Sequence, residues 1–166
     1  MKTTAFFTRV LSWLTGSRLT VDNSVVRELD LDRFLGSWYE VARFDHFFER
    51  GMSQTKANYV LRDDGNIDVI NTGIKNGKPK TAKGKAKLTD IPSLLRVSFF
   101  GPFYSDYCVL LVDADYRYML IGSGSDGYLW TLSRTPQLDD SDRTAILSEA
   151  KSRGYDTDKL IWVKQD

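Results

Sequence analysis

Side chains able to make and break bonds are sparse in this sequence. His46 is the single histidine and Cys108 the single cysteine. They stand far apart in the chain, which leaves no Cys/His dyad, no internal disulfide and no metal-ligand spacing. Cys108 falls on the outward phase of its segment and reads as an inert buried thiol. His46 falls near a rim loop with no ligating neighbours in sequence and reads as a surface histidine. Glu40 shares an inward apolar face, where a carboxylate needs hydrogen-bond partners before it is anything else. Lys75, Lys78, Lys80, Lys83, Lys85 and Lys87 read most simply as a solvated strand face. No catalytic residue, metal or cofactor is assigned. The chemistry that recurs is recognition: aromatic and aliphatic residues at every second position, relieved by a few hydroxyls and the amide of Asn71.

The 166 residues suit one domain with a core of its own. Hydrophobic residues are 42% and aromatics 13%, a composition of a soluble, β-rich globule. Twenty-three basic residues against 22 acidic ones leave a net charge of +1, which speaks against nucleic acid as a partner.

Leu35 to Phe44 organises the rest. Gly36 permits a sharp bend, and from Trp38 the pattern is that of a strand. Trp38, Glu40, Ala42 and Phe44 share one face; Tyr39, Val41 and Arg43 share the other. A short helical turn, Asp30 to Leu35, leads in. Further strands are expected over Thr55–Leu61, Ile67–Ile74, Thr81–Leu88, Leu94–Phe100, Tyr107–Val112, Tyr116–Ile121 and Tyr128–Ser133. Asp64-Gly65 and Asn76-Gly77 mark tight hairpin turns. A helix over Ser141–Arg153 and a short strand over Lys159–Val163 complete the chain. The fold class is all-β: eight consecutive antiparallel strands close into an up-and-down barrel, with one C-terminal α-helix packed outside. A barrel of that size holds one small ligand.

Counting hairpins brings three stretches to one end of the barrel: Gly36-Ser37-Trp38, Asp113-Ala114-Asp115-Tyr116 and Ser133-Arg134. Arg134 over the Trp38 ring makes a cation–π floor. With the inward phase so fixed, the lining is Ala42 on the first strand, then Ala57, Tyr59 and Leu61; Ile67, Val69 and Asn71; Ala82, Gly84 and Ala86; Val97 and Phe99; Tyr107, Val109 and Leu111; Tyr118 and Leu120; and Tyr128, Trp130 and Leu132. The small residues among these leave space for an acyl chain.

Gly36, Trp38, Asp115, Tyr116 and Arg134, in this order, resemble the three motifs of the lipocalin family. Ala42-Arg43-Phe44-Asp45-His46 with Phe48-Glu49-Arg50-Gly51, and Val97 to Phe103, are similar to its bacterial, apolipoprotein D-related subgroup. The likeness runs from about Val25 to Val163. Two features depart from it: Ala114 stands where the family usually has Thr, and no cysteine for lipid attachment follows the N-terminal apolar segment. The resemblance implies a carrier of a fatty acid, a lysophospholipid or a similar small hydrophobic ligand, working in maintenance of the cell envelope. Two rivals stay open, a lipocalin-fold isomerase acting on a bound lipid and a protein-docking module. A homodimer is a further expectation.

Residues 1–24 read as a separate N-terminal segment and 25–166 as the lipocalin domain. Ala5 to Leu14 is apolar apart from its threonine, arginine and serine, too short to span a bilayer. A degenerate signal, a surface-lying membrane helix and a disordered tail are the alternatives. The loops at 49–53, 75–80, 101–106 and 122–127 surround the open mouth. Lys75, Lys78 and Lys80, with Phe103 and Tyr104, suit a mouth that faces a membrane surface.

Overall fold

The protein is described by a computed structural model covering residues 20–166. The N-terminal segment with its apolar run therefore lies almost wholly outside the described residues. Helix α1 (Leu31–Phe34) is one turn, capped by the Asp30 carboxylate accepting from Arg33 N. The strands β1 (Gly36–Phe44), β2 (Ser53–Leu61), β3 (Ile67–Lys75), β4 (Lys78–Leu88), β5 (Leu94–Phe100), β6 (Phe103–Val112), β7 (Tyr118–Gly122) and β8 (Leu129–Ser133) follow in a meander. Helix α2 (Asp140–Ser152), a 3₁₀ turn (Thr157–Lys159) and β9 (Leu160–Trp162) end the chain.

Each strand pairs antiparallel with the next, and β1 also pairs with both β8 and β2, which closes the barrel. The ninth strand lies along the second half of β1, where β1 has left β2. The C-terminal residues sew that seam: Val163 N donates to Val41 O, and the Gln165 amide donates to Glu40 O and Thr55 O.

Two bulges decide which side chains face inward. In β1 the pairing with β8 shifts between Glu40 and Ala42, so that Glu40 opposes Leu132 and Arg43 opposes Trp130. The extra residue reverses the strand's parity. Arg43 turns into the barrel, while Ala42 and Phe44 turn out to meet Tyr155 and α2. In β6 a shift between Val109 and Leu111 does the same: Val109 pairs with Ile121, and Leu111 with Leu120.

Two cores result. One fills the lower barrel, with Phe34, Trp38, Ile67, Leu95, Val109, Met119 and Ile121. The other lies between barrel and α2, with Leu110, Leu120, Leu129, Ile146, Ala150 and Tyr155. Arg153 clamps this outer layer, donating to Leu110 O at 2.9 Å in the β6 bulge and to Ser24 O at 2.7 Å. Cys108 belongs to the same layer, where burial pushes its thiol up to about 11. Residues 20–26 run along it, Asp22 N donating to Arg153 O and Val26 N to Val109 O.

Candidate functional site

The closed end is built from three chain stretches. Arg134 lies 3.6 Å from the centroid of the Trp38 ring. Its Nη1 donates to Ser37 O at 2.8 Å, and its Nη2 to the carbonyls of Leu35, at 2.9 Å, and Arg33. Trp38 Nε1 donates to Phe34 O at 2.7 Å, which locks α1 across the barrel bottom. Gly36 has φ +96°, and a Cβ there would stand 3.4 Å from Arg134 Nη1. Tyr116, at φ 56°, accepts from Asp30 N through its hydroxyl and carries the Arg33 guanidinium 4.6 Å above its ring. The second motif is held by its first residue: Asp113 accepts from the backbone of Asp115 and Arg117, and Arg117 bridges it to Asp142 of α2. Asp115 is exposed and donates its backbone N to that carboxylate.

Above this floor the strand rows face the barrel interior. Ala57, Tyr59, Ile67, Val69, Ala86 and Val109 are buried in the barrel core. Val97, Phe99, Tyr107 and Trp130 pack against it and stay partly accessible. Asn71 pairs with Ala57 and Ala82 on the same inward row, and Ala82 is exposed. Accessibility thus rises from nothing at the floor to a substantial fraction in the upper rows, on inward faces. Gly84 is part of the wall's shape: a Cβ there would lie 2.8 Å from the Phe99 ring and 2.6 Å from Ser98 O.

Four expected lining residues lie in the outer layer, and a fifth, Leu61, is exposed at the end of β2. Ala42, Leu111, Tyr118 and Leu120 pack in the outer core against α2, because the β1 and β6 bulges reverse parity and β7 follows β6. Met119 and Ile121 take the inward places. Tyr128 precedes β8 and stacks on Trp130 at the mouth, centroids 5.6 Å apart.

The middle and upper cup hold polar groups whose arrangement the residue pattern did not reveal. Arg43, 1% exposed, donates through Nη1 to Glu40 Oε1 at 2.8 Å and through Nη2 to Glu49 O at 2.7 Å. Glu49 folds in from the β1–β2 connection; its Oε1 accepts from Trp130 Nε1 at 3.1 Å and lies 2.9 Å from His46 Nε2. His46 is therefore not a surface side chain. Its ring packs edge-on against Phe48 and Trp130 and tilted against Tyr128. Lower down, the Tyr59 and Tyr107 hydroxyls share a hydrogen bond of 2.9 Å. Burial, then the charge of Glu49 and a hydrogen bond with it, raise the Glu40 carboxyl well above the carboxylate range. Burial acts the same way on Glu49, but contacts from His46 and Glu40 and the charges of His46 and Arg43 outweigh it and hold Glu49 at about 2. Of the two, Glu40 keeps its proton to higher pH. The same burial raises both tyrosines, so their hydroxyls remain neutral hydrogen-bonding groups. A signal for this cluster exists in Glu40-x-x-Arg43, but it is readable only once the bulge is known.

Among the described residues no cluster of three or more His, Cys, Asp or Glu is placed to hold a metal. No described helix is long and apolar enough to cross a membrane.

A family profile described as a lipocalin-like domain matches residues 29–165. The outer membrane lipoprotein Blc of Citrobacter freundii is 49% identical over 146 residues, covering 86% of this chain and 82% of that protein. Its counterpart in Vibrio cholerae is 42% identical over 168 residues, covering 97% and 98%. Mouse apolipoprotein D is 30% identical over 152 residues, covering 85% and 79%. Among solved structures, insecticyanin from the tobacco hornworm superposes with a TM-score of 0.71 at 22% identity, covering 86% of this chain and 84% of that one.

Proposed function

The chain belongs to the lipocalin family, and on that premise we propose that it carries a single-acyl lipid, a fatty acid or a lysophospholipid, in the upper barrel. Small hydrophobic ligands are what the fold and its relatives support; the acyl lipid is our reading. The observation that carries it is the gradient of accessibility on inward faces. Trp38, Ile67, Ala86 and Val109 are sealed, while Val97 beside Ala86, Trp130 on the row of Val109, and Phe99 stay partly accessible, and Ala82, two inward positions along β4 from Ala86, is exposed. An acyl chain laid along those residues leaves water, each CH₂ contributing about 0.8 kcal/mol before ordering costs. The Glu40–Arg43–Glu49 cluster beside Trp130 offers hydrogen bonds to a polar head.

The names of the bacterial relatives, outer membrane lipoproteins, support a place in the cell envelope, and membrane maintenance is our reading of its task there. We read the protein as a carrier, since Arg43 already engages Glu40 and Glu49 and so occupies the carboxylates an acid–base mechanism needs. The test is mass spectrometry of the organic extract of the purified full chain, followed by titration with oleate and a lysophospholipid. One single-acyl lipid per chain, recovered chemically unchanged, supports the reading. A chain that yields none and binds neither added lipid refutes it, and covalent conversion of the bound lipid would make it an isomerase.

A further inference from the structure

The open end carries apolar surface that the cup does not use. Phe47 is 69% exposed, Phe100 64% and Phe103 78%, with Phe48 between them. Phe47 and Phe48 lie 3.9 Å apart, centroid to centroid, and Phe48 reaches Phe100 at 5.8 Å. These rings come from the β1–β2 connection and the β5–β6 turn, two openings of one rim. A continuous aromatic patch of this kind on a soluble surface marks a contact face.

Two observations say what it contacts. The β3–β4 turn on the same rim carries Lys75 and Lys78, with Lys80 just behind. Thr20, where the described residues begin, donates to Asp126 in the β7–β8 connection at this end too, and the sequence that precedes it holds the apolar stretch Ala5 to Leu14. Aromatic rings beside ammonium groups and an apolar chain match a lipid–water interface with anionic headgroups.

The segment that bears Phe47 and Phe48 is also fastened from below. Arg43 Nη2 donates to Glu49 O at 2.7 Å and Met52 O at 3.2 Å, and Trp130 Nε1 donates to Glu49 Oε1. His46 fills the space between Phe48 and the Tyr128–Trp130 pair. The His46–Glu49 stretch is thus a strap lying over Trp130 at the top of the cup. We propose that Phe47, Phe48, Phe100 and Phe103 dock the mouth on an anionic bilayer, and that docking lifts the strap from Trp130 and admits the lipid. A bilayer receives both strap rings better when the strap is raised, and this difference in affinity shifts the population. The proposal rests on the cup being the lipid site.

The experiment uses the full chain and its F47S/F103S variant, whose changes fall on exposed rings. Vesicles of phosphatidylcholine with phosphatidylglycerol should bind the variant at least about tenfold more weakly than the parent. Hydrogen exchange reads the strap without any ligand. Vesicles should speed exchange at the amides of Glu49 and Met52, which donate to His46 O and Glu49 O, at least about fivefold in the parent and not in the variant. Transfer of cis-parinaric acid from vesicles should slow in the variant, while its affinity from solution stays that of the parent. Equal vesicle binding by both chains overturns the docking surface. Unchanged exchange on docked parent overturns the coupling. A parent that ignores vesicles and becomes monomeric on these substitutions assigns the rim to a second copy and overturns the proposal. Failure of cis-parinaric acid to bind the parent is failure of the cup reading instead, and sedimentation and exchange still decide the rim and the strap.

Discussion

Arg134 joins segments that the chain keeps about a hundred residues apart. Its guanidinium covers Trp38 and reaches three carbonyls, which a hydrophobic residue of equal size cannot do. Arg134→Ala should lower stability by about 2–3 kcal/mol in urea unfolding, through lost packing and orphaned carbonyls. Arg134→Lys should recover only part of that, since an ammonium presents a point charge rather than a planar fork; a fully stable Ala variant would show that the floor holds without its clasp. Glu40 offers a test of sign. Its folded carboxyl is raised above its ordinary value of 4.5, so its contribution to stability is present below 4.5 and fades as pH rises through the folded value. Glu40→Gln removes that loss, and its stability relative to the parent should be more favourable at about pH 8 than at about pH 5. Glu49 acts oppositely. With its carboxyl held at about 2, its contribution is full above 4.5 and disappears as pH falls towards 2. A Glu40→Gln difference that stays flat from pH 5 to pH 8 would mean that Glu40 is ionised alongside Glu49 throughout this range.

At the scale of strands, solvent exposure explains how far inward and outward faces could be read. The outer face of β4 meets water, so Lys83, Lys85 and Lys87 alternate with Ala82, Gly84 and Ala86, and parity is legible. β6 and β7 are covered on both sides, by the barrel core and by α2. The runs Cys108-Val109-Leu110-Leu111-Val112 and Tyr118-Met119-Leu120-Ile121 are apolar throughout and carry no phase. For this reason alternation alone puts Tyr118 and Leu120 on the wrong face, and it does the same for Leu111 and Ala42 because a bulge has no signature in hydrophobicity. The three motifs need no such phase, so the stacking of Arg134 on Trp38 is legible, whereas the part Asp113 plays in holding the second motif is not. The packing of β4 on β5 makes its own prediction. Gly84→Val would drive methyl groups into the Phe99 ring and the Ser98 carbonyl, and should cost about 1–3 kcal/mol in urea unfolding. A variant as stable as the parent would mean that Phe99 is free to move aside.

The whole molecule is polarised along the barrel axis. One end is sealed by α1, Trp38 and Arg134; the other is open, ringed with phenylalanines and crossed by the His46–Glu49 strap. Between them the inward rows pass from sealed to accessible, and the proposed ligand space begins where they stop being sealed. Ala86 is fully buried in the floor, whereas Ala82, two pairs higher on the same face of β4, is exposed. An obstruction at Ala86 would disturb the floor; one at Ala82 would occupy the space assigned to ligand. The central claim is therefore tested most directly by titrating oleate into the parent and into Ala82→Trp, with melting temperatures of both recorded. The expected result is saturable one-to-one binding by the parent, and affinity at least about tenfold weaker in Ala82→Trp at an unchanged melting temperature. Equal affinity in the two chains would contradict the account, because the lipid would then be bound outside the barrel.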